Sequence, residues 1–322
     1  MSHDPADGYL HEALLYRTDE QFLATAVPFL EAGVRAGEVS LVALGPVTTR
    51  LLRDHDLDAS VRYLEDGSHY NRPAVVIRAY RDLLTDVVAQ GATRVRILGE
   101  VPHPGLGVPW DEWARYEATT NHAYAPFPVW GLCPYDLRIT SAAVLDDVLR
   151  THPFLHGDDG EHQANDRYTA PEEFLAGRPA PRREVRAEAG PPTVELTDPT
   201  PATARRAARE LTVPTTLRDD EVDDLVTAVS EAVTNALAHG VGPARLRLWS
   251  EPHRVVAAVH DRGPGPADPF AGLLPTADTA TGGLGLWIIH QICDQVTLDR
   301  AVDGFTLRLV VGAPDTTRRG HG

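Results

Sequence analysis

Glu231 and Asn235 stand four residues apart in the segment 219–239, whose apolar residues recur at helical spacing. At about 100° per residue the two polar side chains lie one above the other, roughly opposite the apolar stripe. A carboxylate and a carboxamide in this arrangement can share a hard cation, or the carboxylate can act as a base beside a metal held by the amide. Taken alone, the pair is also consistent with an ordinary solvated face. The apolar stripe consists of Val222, Leu225, Val226, Val229, Val233 and Ala236.

Two glycine-containing segments that could bind a nucleotide follow this helix. The predicted strand 254–261 ends at Asp261, and Gly263 and Gly265 come directly after it. A carboxylate at a strand end can accept a hydrogen bond from an amino group, and glycines let the backbone approach closely. Glycines at a helix N-terminus offer N–H groups and the positive end of the helix dipole to an anion, although either segment alone could be a simple turn. The run that opens the next predicted helix is Gly282, Gly283, Leu284, Gly285 and Leu286.

In this order and spacing, the three segments resemble the ATPase superfamily of gyrase, heat-shock chaperones, histidine kinases and MutL, which has the Bergerat fold. The segment Glu231–Gly240 resembles its N box, Asp261–Gly265 its G1 box and Gly283–Leu286 its G2 box. The resemblance covers residues 193–314 and implies a domain that binds ATP and Mg²⁺.

The resemblance also implies a role for each matching residue. Asn235 would hold the Mg²⁺ that bridges the phosphates of ATP, and Glu231 would be the general base. Asp261 would take the adenine amino group, while Gly263 and Gly265 would shape the wall of the adenine pocket. The glycines of the third segment would wrap the triphosphate, and the loop before them would be the ATP lid.

One branch of this superfamily fits best. A conventional histidine kinase carries its acceptor histidine on a helical hairpin just upstream, whereas His156 and His162 lie here in sequence rich in proline and glycine. The short strand and single helix before the N box, and the run around Trp287, resemble the anti-sigma-factor serine/threonine kinases of bacteria. This resemblance implies a sigma factor, an anti-anti-sigma protein or both as partners, and it implies possible pairing as a homodimer.

The composition excludes several other functions. The 322 residues carry a formal net charge of -16, and all 30 Lys and Arg residues are arginine. The chain has no concentrated basic region for nucleic acid, and without lysine it has neither a Walker A loop nor Schiff-base chemistry. No apolar run approaches the ~20 residues of a membrane span, and the N-terminus lacks a signal-peptide pattern. We therefore expect a cytoplasmic protein that binds neither nucleic acid directly nor a membrane.

The order of predicted elements indicates two domains. Short apolar strands alternate with amphipathic helices over residues 8–152, which predicts a parallel sheet between two layers of helices. Residues 153–192 carry charge, proline and glycine without apolar periodicity, which predicts a linker. Residues 193–314 group their helices apart from hairpin-connected strands, which predicts a two-layer α/β sandwich. The strands predicted in the first half are Ala13–Tyr16, Val39–Leu44, Val61–Leu64, Val95–Gly99 and Val129–Cys133.

The first half resembles the MEDS sensory family, named from methanogen and dichloromethane-regulator proteins, in the segments His11–Tyr16, Phe22–Phe29 and Trp130–Asp136. That family has an α/β fold and is thought to sense small hydrocarbon derivatives, which implies a small-molecule ligand. Ligands of such sheets bind at strand ends. Packing is the alternative role for these side chains, and neither half shows metal-ligand spacing. The candidates for contacting a ligand are His11, Tyr16, Glu100, Cys133, Tyr135 and Asp136.

Together these observations predict an ATP-dependent regulator of transcription, in which a sensor domain gates an anti-sigma-factor-type kinase. The kinase would phosphorylate Ser or Thr of an anti-anti-sigma partner, or the protein would sequester a sigma factor. Two alternatives stay open: a histidine-kinase relative that acts with a separate phosphoacceptor, and a non-catalytic switch module that only binds ATP.

Overall fold

The computed structural model describes residues 8–64, 72–157, 160–178, 188, 190–275 and 283–312. The chain divides into two units, Met1–Arg178 and Pro179–Gly322. Among the described residues, no helix combines the length and the apolar character that crossing a membrane requires.

Within the described part of the first unit, seven strands form one sheet: β1 (Leu10–Tyr16), β2 (Val39–Ala43), β3 (Arg62–Tyr63), β4 (Val95–Gly99), β5 (Val129–Asp136), β6 (Phe154–His156) and β7 (His162–Ala164). Their order is β3-β2-β4-β5-β1-β6-β7. All neighbours pair in parallel except β6 and β7, which confirms the parallel sheet predicted from the alternating pattern. The helices are α1 (Asp19–Arg35), α2 (Pro46–Arg53), α3 (Pro73–Ala89), α4 (Asp111–Ala123), α5 (Ala142–Thr151) and α6 (Pro171–Ala176).

Strand β1, which lies between β5 and β6, is buried on both faces because helices cover both sides of the sheet. Its residues alternate between the faces, as in any strand. Leu14 and Tyr16 pack into an apolar cluster with side chains of α1 and α2. His11 faces the other way and contacts Glu117 of α4. The first unit is therefore a three-layer α/β domain.

The segment 153–192 was predicted to be a linker, and the structure corrects that prediction. β6 pairs with β1 and β7 pairs with β6, so residues 154–164 extend the sheet of the first unit. The side chain of Asn165 donates hydrogen bonds to the carbonyls of Leu149 and His152, at 2.6 and 2.7 Å, and fixes the chain after β7. Without apolar periodicity, these short strands gave no signal in the sequence.

The described part of the second unit contains one antiparallel sheet of five strands: β8 (Val194–Thr197), β9 (Arg245–Glu251), β10 (Arg254–Asp261), β11 (Gln295–Ala301) and β12 (Gly304–Val311). Their order is β11-β12-β10-β9-β8. The helices α7 (Pro201–Thr212), α8 (Asp219–His239) and α9 (Leu284–Ile292) share one apolar core with the sheet. This is the two-layer sandwich that the sequence predicted, and it is consistent with a Bergerat fold.

Helix α8 carries the first predicted motif. It begins with Asp219, Asp220 and Glu221, whose charges favour a helix N-terminus. Its apolar stripe is buried as predicted, but Ala228 and Ala232 are buried as well, at 0% and 2% exposure. Because α7 and α9 pack along α8, its buried surface is wider than the stripe that faces the sheet.

Candidate functional site

Glu231 and Asn235 lie on α8 beside the first turn of α9. Both are half-buried. A Cβ atom at Gly285 would lie 2.6 Å from Glu231 Oε2 and 3.3 Å from Asn235 Nδ2, so α9 approaches this closely only because residue 285 has no side chain. An ordinary solvated face, the alternative for this helix, does not have a second helix packed against its polar residues.

Asp261 ends β10 and is 5% exposed. Its Oδ1 accepts the N–H groups of Gly263 at 2.6 Å and Val241 at 3.2 Å. Among the described residues, no group donates a hydrogen bond to Oδ2 of Asp261. A Cβ at Gly240 would lie 2.5 Å from Cγ of this carboxylate, and a Cβ at Gly263 would lie 2.7 Å from its Oδ1. Both glycines are therefore needed for the backbone to wrap around the carboxylate. One oxygen is thus fixed by backbone N–H groups, and the other can accept a ligand.

A cavity of about 240 Å³ joins these elements. Its lining is mostly apolar, and its polar side chains are those of Asn235, His239, Asp261 and Asp268, a composition typical of small-molecule sites. Glu231, Gly263, Leu284 and Gly285 lie beside the lining and not in it, and Gly282 lies outside the described residues. The predicted site residues that line the cavity are Asn235, Asp261, Gly265, Gly283 and Leu286.

Several lining residues were missed by sequence reasoning. Phe305 and Leu307 come from β12, beyond the third motif. Gly272 belongs to the loop 266–281, which was predicted to be the lid; residues 276–281 of that loop lie outside the described part of the chain. The only sequence signal for the two β12 side chains was the alternation of that strand, which identifies its core face but not a pocket.

Gly265 should tolerate no side chain. Its φ is +73°, and a Cβ there would collide with the Phe305 ring. We expect Gly265→Ala to destabilise the second unit by about 1–2 kcal/mol through the backbone alone, and to weaken ligand binding in the cavity further. Urea unfolding and nucleotide titration of the full chain measure both effects. Gly190→Ala is the matched control, because nothing lies within 4 Å of a Cβ there; equal behaviour of the two variants would contradict the packing argument.

In the first unit, three of the predicted ligand contacts meet around one buried carboxylate that the sequence did not reveal. His11 Nε2 lies 3.3 Å from Glu117 Oε2 and 3.4 Å from Cys133 Sγ. The hydroxyl of Tyr135 donates to Glu117 Oε1. His152 Nε2 lies 3.8 Å from Glu117 Oε2 on the same side. A cavity of about 30 Å³ adjoins this cluster.

Burial and charge set the protonation of this cluster. Burial lowers the pKa of His152 to about 3, which keeps the imidazole neutral. Burial, and then the carboxylates of Glu117 and Glu12, raise the pKa of the Cys133 thiol. Cys133 by itself is therefore not a reactive thiolate.

The other three candidates lie apart from this cluster, at the carboxyl ends of the strands. Glu100 accepts hydrogen bonds from Gly45 N–H at 2.7 Å and Thr48 Oγ1 at 2.9 Å, and so caps α2, whose N-cap glycine has no side chain to do so. The carboxylate of Asp136 accepts hydrogen bonds of 2.7 to 3.0 Å from the guanidinium of Arg138. Tyr16 is 4% exposed, and its pKa is raised by burial and then by the charge of Glu100. These contacts account for all three by local structure.

Glu12 sits on the opposite face of β1 from His11 and is fully buried. Its carboxylate accepts hydrogen bonds from His162 Nδ1 at 2.9 Å and Trp130 Nε1 at 3.0 Å, and lies 3.3 Å from His156 Nδ1. Burial would raise its pKa, but these partners hold the pKa below its usual range. The ionised form therefore stabilises the fold above the unfolded pKa of about 4.3, and this contribution is lost as the pH falls through the lower folded value.

We expect Glu12→Gln to lower the free energy of unfolding at pH 7 by about 1.5–3 kcal/mol, the usual cost of losing hydrogen bonds to a charged group. The difference from wild type should narrow as the pH falls from about 4.3, the unfolded pKa, through the lowered pKa of the folded state. Urea unfolding at pH 7 and below about pH 4 measures it. Glu195→Gln, which alters a 47% exposed side chain in the second unit, serves as the control. If Glu12→Gln lowers the free energy of unfolding by the same amount at pH 7 and below about pH 4, an ionised Glu12 does not stabilise the fold.

Comparisons with known proteins agree with the two units. Residues 10–153 match the MEDS model, the methanogen/methylotroph, DcmR sensory domain, and residues 195–311 match the histidine kinase-like ATPase domain. The anti-sigma F factor of Bacillus velezensis is 34% identical over 100 residues, which cover 28% of this chain and 68% of that protein. The transcriptional repressor DcmR of Methylorubrum extorquens is 25% identical over 154 residues, which cover 44% of this chain and 57% of that one.

Among solved structures, the RsbU and RsbW domains of a Mycobacterium tuberculosis protein align with 38% of this chain and 33% of theirs, at 21% identity and a TM-score of 0.27. The match to the anti-sigma F factor agrees with the assignment of a histidine kinase-like ATPase domain, and the match to DcmR agrees with the MEDS assignment. This chain therefore belongs to the anti-sigma F factor family, and its histidine kinase-like ATPase domain follows a MEDS sensory domain.

Proposed function

We propose that this protein is an ATP-dependent, cytoplasmic regulator of transcription that phosphorylates Ser or Thr of an anti-anti-sigma partner and binds a sigma factor. The observation that supports it is the position of Glu231 and Asn235, which sit beside the N-terminus of α9 at a cavity that also contains the Asp261 carboxylate. A carboxylate, an amide and a helix N-terminus are groups suited to a base, a metal ligand and a phosphate site.

The residues of the cavity fit an adenine nucleotide. Asp261 Oδ2 would accept the exocyclic amino group, because Oδ1 is already held by backbone N–H groups. Gly265 lets the backbone pack directly on the Phe305 ring, and both line the cavity in which the adenine would lie. Gly283, at the N-cap of α9, would face the phosphates, and Asn235 Oδ1 would hold Mg²⁺.

Bound ATP would supply the γ-phosphoryl group, and its Mg²⁺ would neutralise phosphate charge. Glu231 would accept the proton of the partner's hydroxyl as the hydroxyl oxygen bonds to phosphorus and the bond to the β–γ bridging oxygen breaks, releasing ADP. Its carboxylate is half-buried beside Asn235, so the base and the metal ligand share one face of α8.

A partner acceptor is favoured over a histidine of this chain. His156 and His162, which precede the ATPase domain, lie in β6 and β7. Their imidazoles contact Glu12, and their strands pair with the sheet. That environment differs from an exposed position on a helical hairpin, where a kinase domain could reach the ring.

The test is phosphoryl transfer from labelled ATP by the full chain, with the anti-anti-sigma protein of its own cell as acceptor. Acid-stable label on Ser or Thr of the partner is expected. Acid-labile label on a histidine of the partner would support the histidine-kinase alternative, and ATP binding without transfer would support the switch. Label on this protein itself would contradict the proposal.

Gating by a small ligand of the MEDS domain, and pairing as a homodimer, belong to the same proposal. They rest on the arrangement of the two domains in one chain and on family likeness. A ligand that raises the melting temperature of the first unit and also changes the transfer rate of the full chain would support gating, and light scattering measures the pairing.

A further inference from the structure

Four metal-binding side chains from four separate parts of the first unit converge at one point. His11 comes from β1, Glu117 from α4, Cys133 from β5 and His152 from the residue after α5. One ligand atom of each lies within 4.8 Å of all the others. None of the four is more than 9% exposed.

The four ligand atoms face one another across the cluster, and the thiol of Cys133 lies within hydrogen-bond distance of His11 Nε2 alone among them, at 3.4 Å. His152 Nδ1 lies 2.8 Å from the carbonyl of Val148 and must be the donor there, so Nε2 is the nitrogen that faces the cluster. His11 Nδ1 lies 3.1 Å from Asn121 Oδ1, which likewise leaves its Nε2 facing the cluster. Both Nε2 atoms face Glu117 Oε2, itself an acceptor, at 3.3 and 3.8 Å.

Glu117 Oε2 and His152 Nε2 are fully buried and have no hydrogen-bond partner among the described residues. Buried polar atoms without a partner are costly and rare in folded proteins. These two atoms are 3.8 Å apart, beyond hydrogen-bond distance, so a proton on either would not join them, whereas a cation between the four side chains would contact both.

The distances fit an ion of a particular size. A tetrahedral metal bound to N, O and S ligands at about 2.0–2.3 Å separates those ligands from each other by about 3.3–3.8 Å. The atoms of this cluster are 3.3, 3.4 and 3.8 Å apart in the three pairs given above. The remaining pairs lie within 4.8 Å, so side-chain movements of up to about 1 Å would complete the tetrahedron.

We propose that His11, Glu117, Cys133 and His152 bind a single divalent transition-metal ion, and the donor set of two imidazoles, one carboxylate and one thiolate points to zinc. Binding releases the thiol proton of Cys133 to solvent and leaves the sulfur bonded to the metal. This site is separate from the proposed nucleotide pocket and does not depend on it.

Neighbouring residues hold the four side chains in position through hydrogen bonds, as the residues that surround the ligands of metal sites do. The amide of Asn121 and the carbonyl of Val148 fix which nitrogen of each histidine faces inward. The hydroxyl of Tyr135 occupies Glu117 Oε1, so that Oε2 is left for the metal. The adjoining cavity of about 30 Å³ leaves room for a water or a ligand of similar size beside the ion.

Cobalt titration of the full chain, stripped of metal by a chelator, tests the proposal. One equivalent of Co²⁺ is expected to produce the visible bands of a tetrahedral site and a thiolate-to-cobalt charge-transfer band in the near ultraviolet, and Zn²⁺ should displace it. Cys133→Ser should lose the charge-transfer band. Cys293→Ser, which alters the other buried cysteine, should keep it.

Asn235→Ala should bind cobalt as the wild type does, since this variant alters the nucleotide pocket alone. The cobalt result therefore does not depend on whether the proposed ATP function is correct. Absence of saturable binding, a charge-transfer band that survives Cys133→Ser, or one that is lost in Cys293→Ser or Asn235→Ala would overturn the proposal. Should Cys133→Ser not fold, X-ray absorption of the zinc-loaded wild type decides: one sulfur at about 2.3 Å with nitrogen and oxygen ligands is expected, and a shell without sulfur would refute the site.

Discussion

Replacing Asp261 with asparagine is expected to weaken ATP binding by about 100-fold while the second unit stays folded. The isosteric amide can keep its oxygen in the Oδ1 position, where it would still accept the N–H groups of Gly263 and Val241. Its NH₂ group then takes the place of Oδ2. A donor would face the adenine amino group, which is a donor too, so the hydrogen bond becomes a repulsion.

Calorimetric titration of the full chain with ATP measures this loss, and the melting temperature reports whether the fold is intact. His260→Ala is the matched control, because the neighbouring His260 points to the other face of β10 and bonds Thr306 at 3.0 Å. That variant should bind ATP within a few-fold of wild type. If Asp261→Asn binds ATP as tightly as the wild type does, the adenine does not bind at this end of the cavity.

The architecture of both units was readable from the sequence because it depends on periodicity. Strand and helix alternation predicted the parallel sheet, and grouped helices predicted the sandwich. The β6–β7 pair was not predicted because the contacts that hold these strands in the sheet come from residues far away in the sequence. β6 pairs with β1 and β7 pairs with β6, and His156 and His162 contact Glu12, which is 144 and 150 residues away along the chain.

The nucleotide cavity was partly predictable for a different reason. Its motif residues lie at helix and strand termini, where residue types are tied to backbone geometry. Gly265 illustrates this, since its positive φ leaves little choice of residue. Phe305 and Leu307 look like any other core residues of a strand, and only the folded sheet brings them to the cavity.

The buried cluster of the first unit had no spacing to recognise, since each side chain comes from a different element. One signal was nonetheless present. Glu117 lies on α4 in line with Trp113 and Thr120, both buried, so a carboxylate occupies the apolar stripe of this helix. A buried carboxylate requires a proton, a cation or several donors, and that requirement marks it as a residue to examine.

Glu231→Gln is expected to reduce phosphoryl transfer to the partner by about 10²–10⁴-fold, the usual contribution of a general base, with ATP affinity within a few-fold of wild type. Glutamine keeps the shape of the side chain, so the close approach of Gly285 is undisturbed. Glu231 does not line the nucleotide cavity, which is why binding should survive. Glu210→Gln, an exposed position on α7, is the control and should transfer at the wild-type rate.

The separation of binding from transfer in Glu231→Gln also distinguishes a kinase from an ATP-binding switch. If transfer is the function, this variant should release the sigma factor at a lower concentration of the anti-anti-sigma partner than the wild type does, since a partner that is not inactivated by phosphorylation stays able to compete for binding. A switch needs only the nucleotide, so wild type and Glu231→Gln would then respond to the partner at the same concentration. Competition binding with increasing partner and saturating ATP gives the two midpoints: a lower midpoint for Glu231→Gln supports the kinase, and coincident midpoints contradict it.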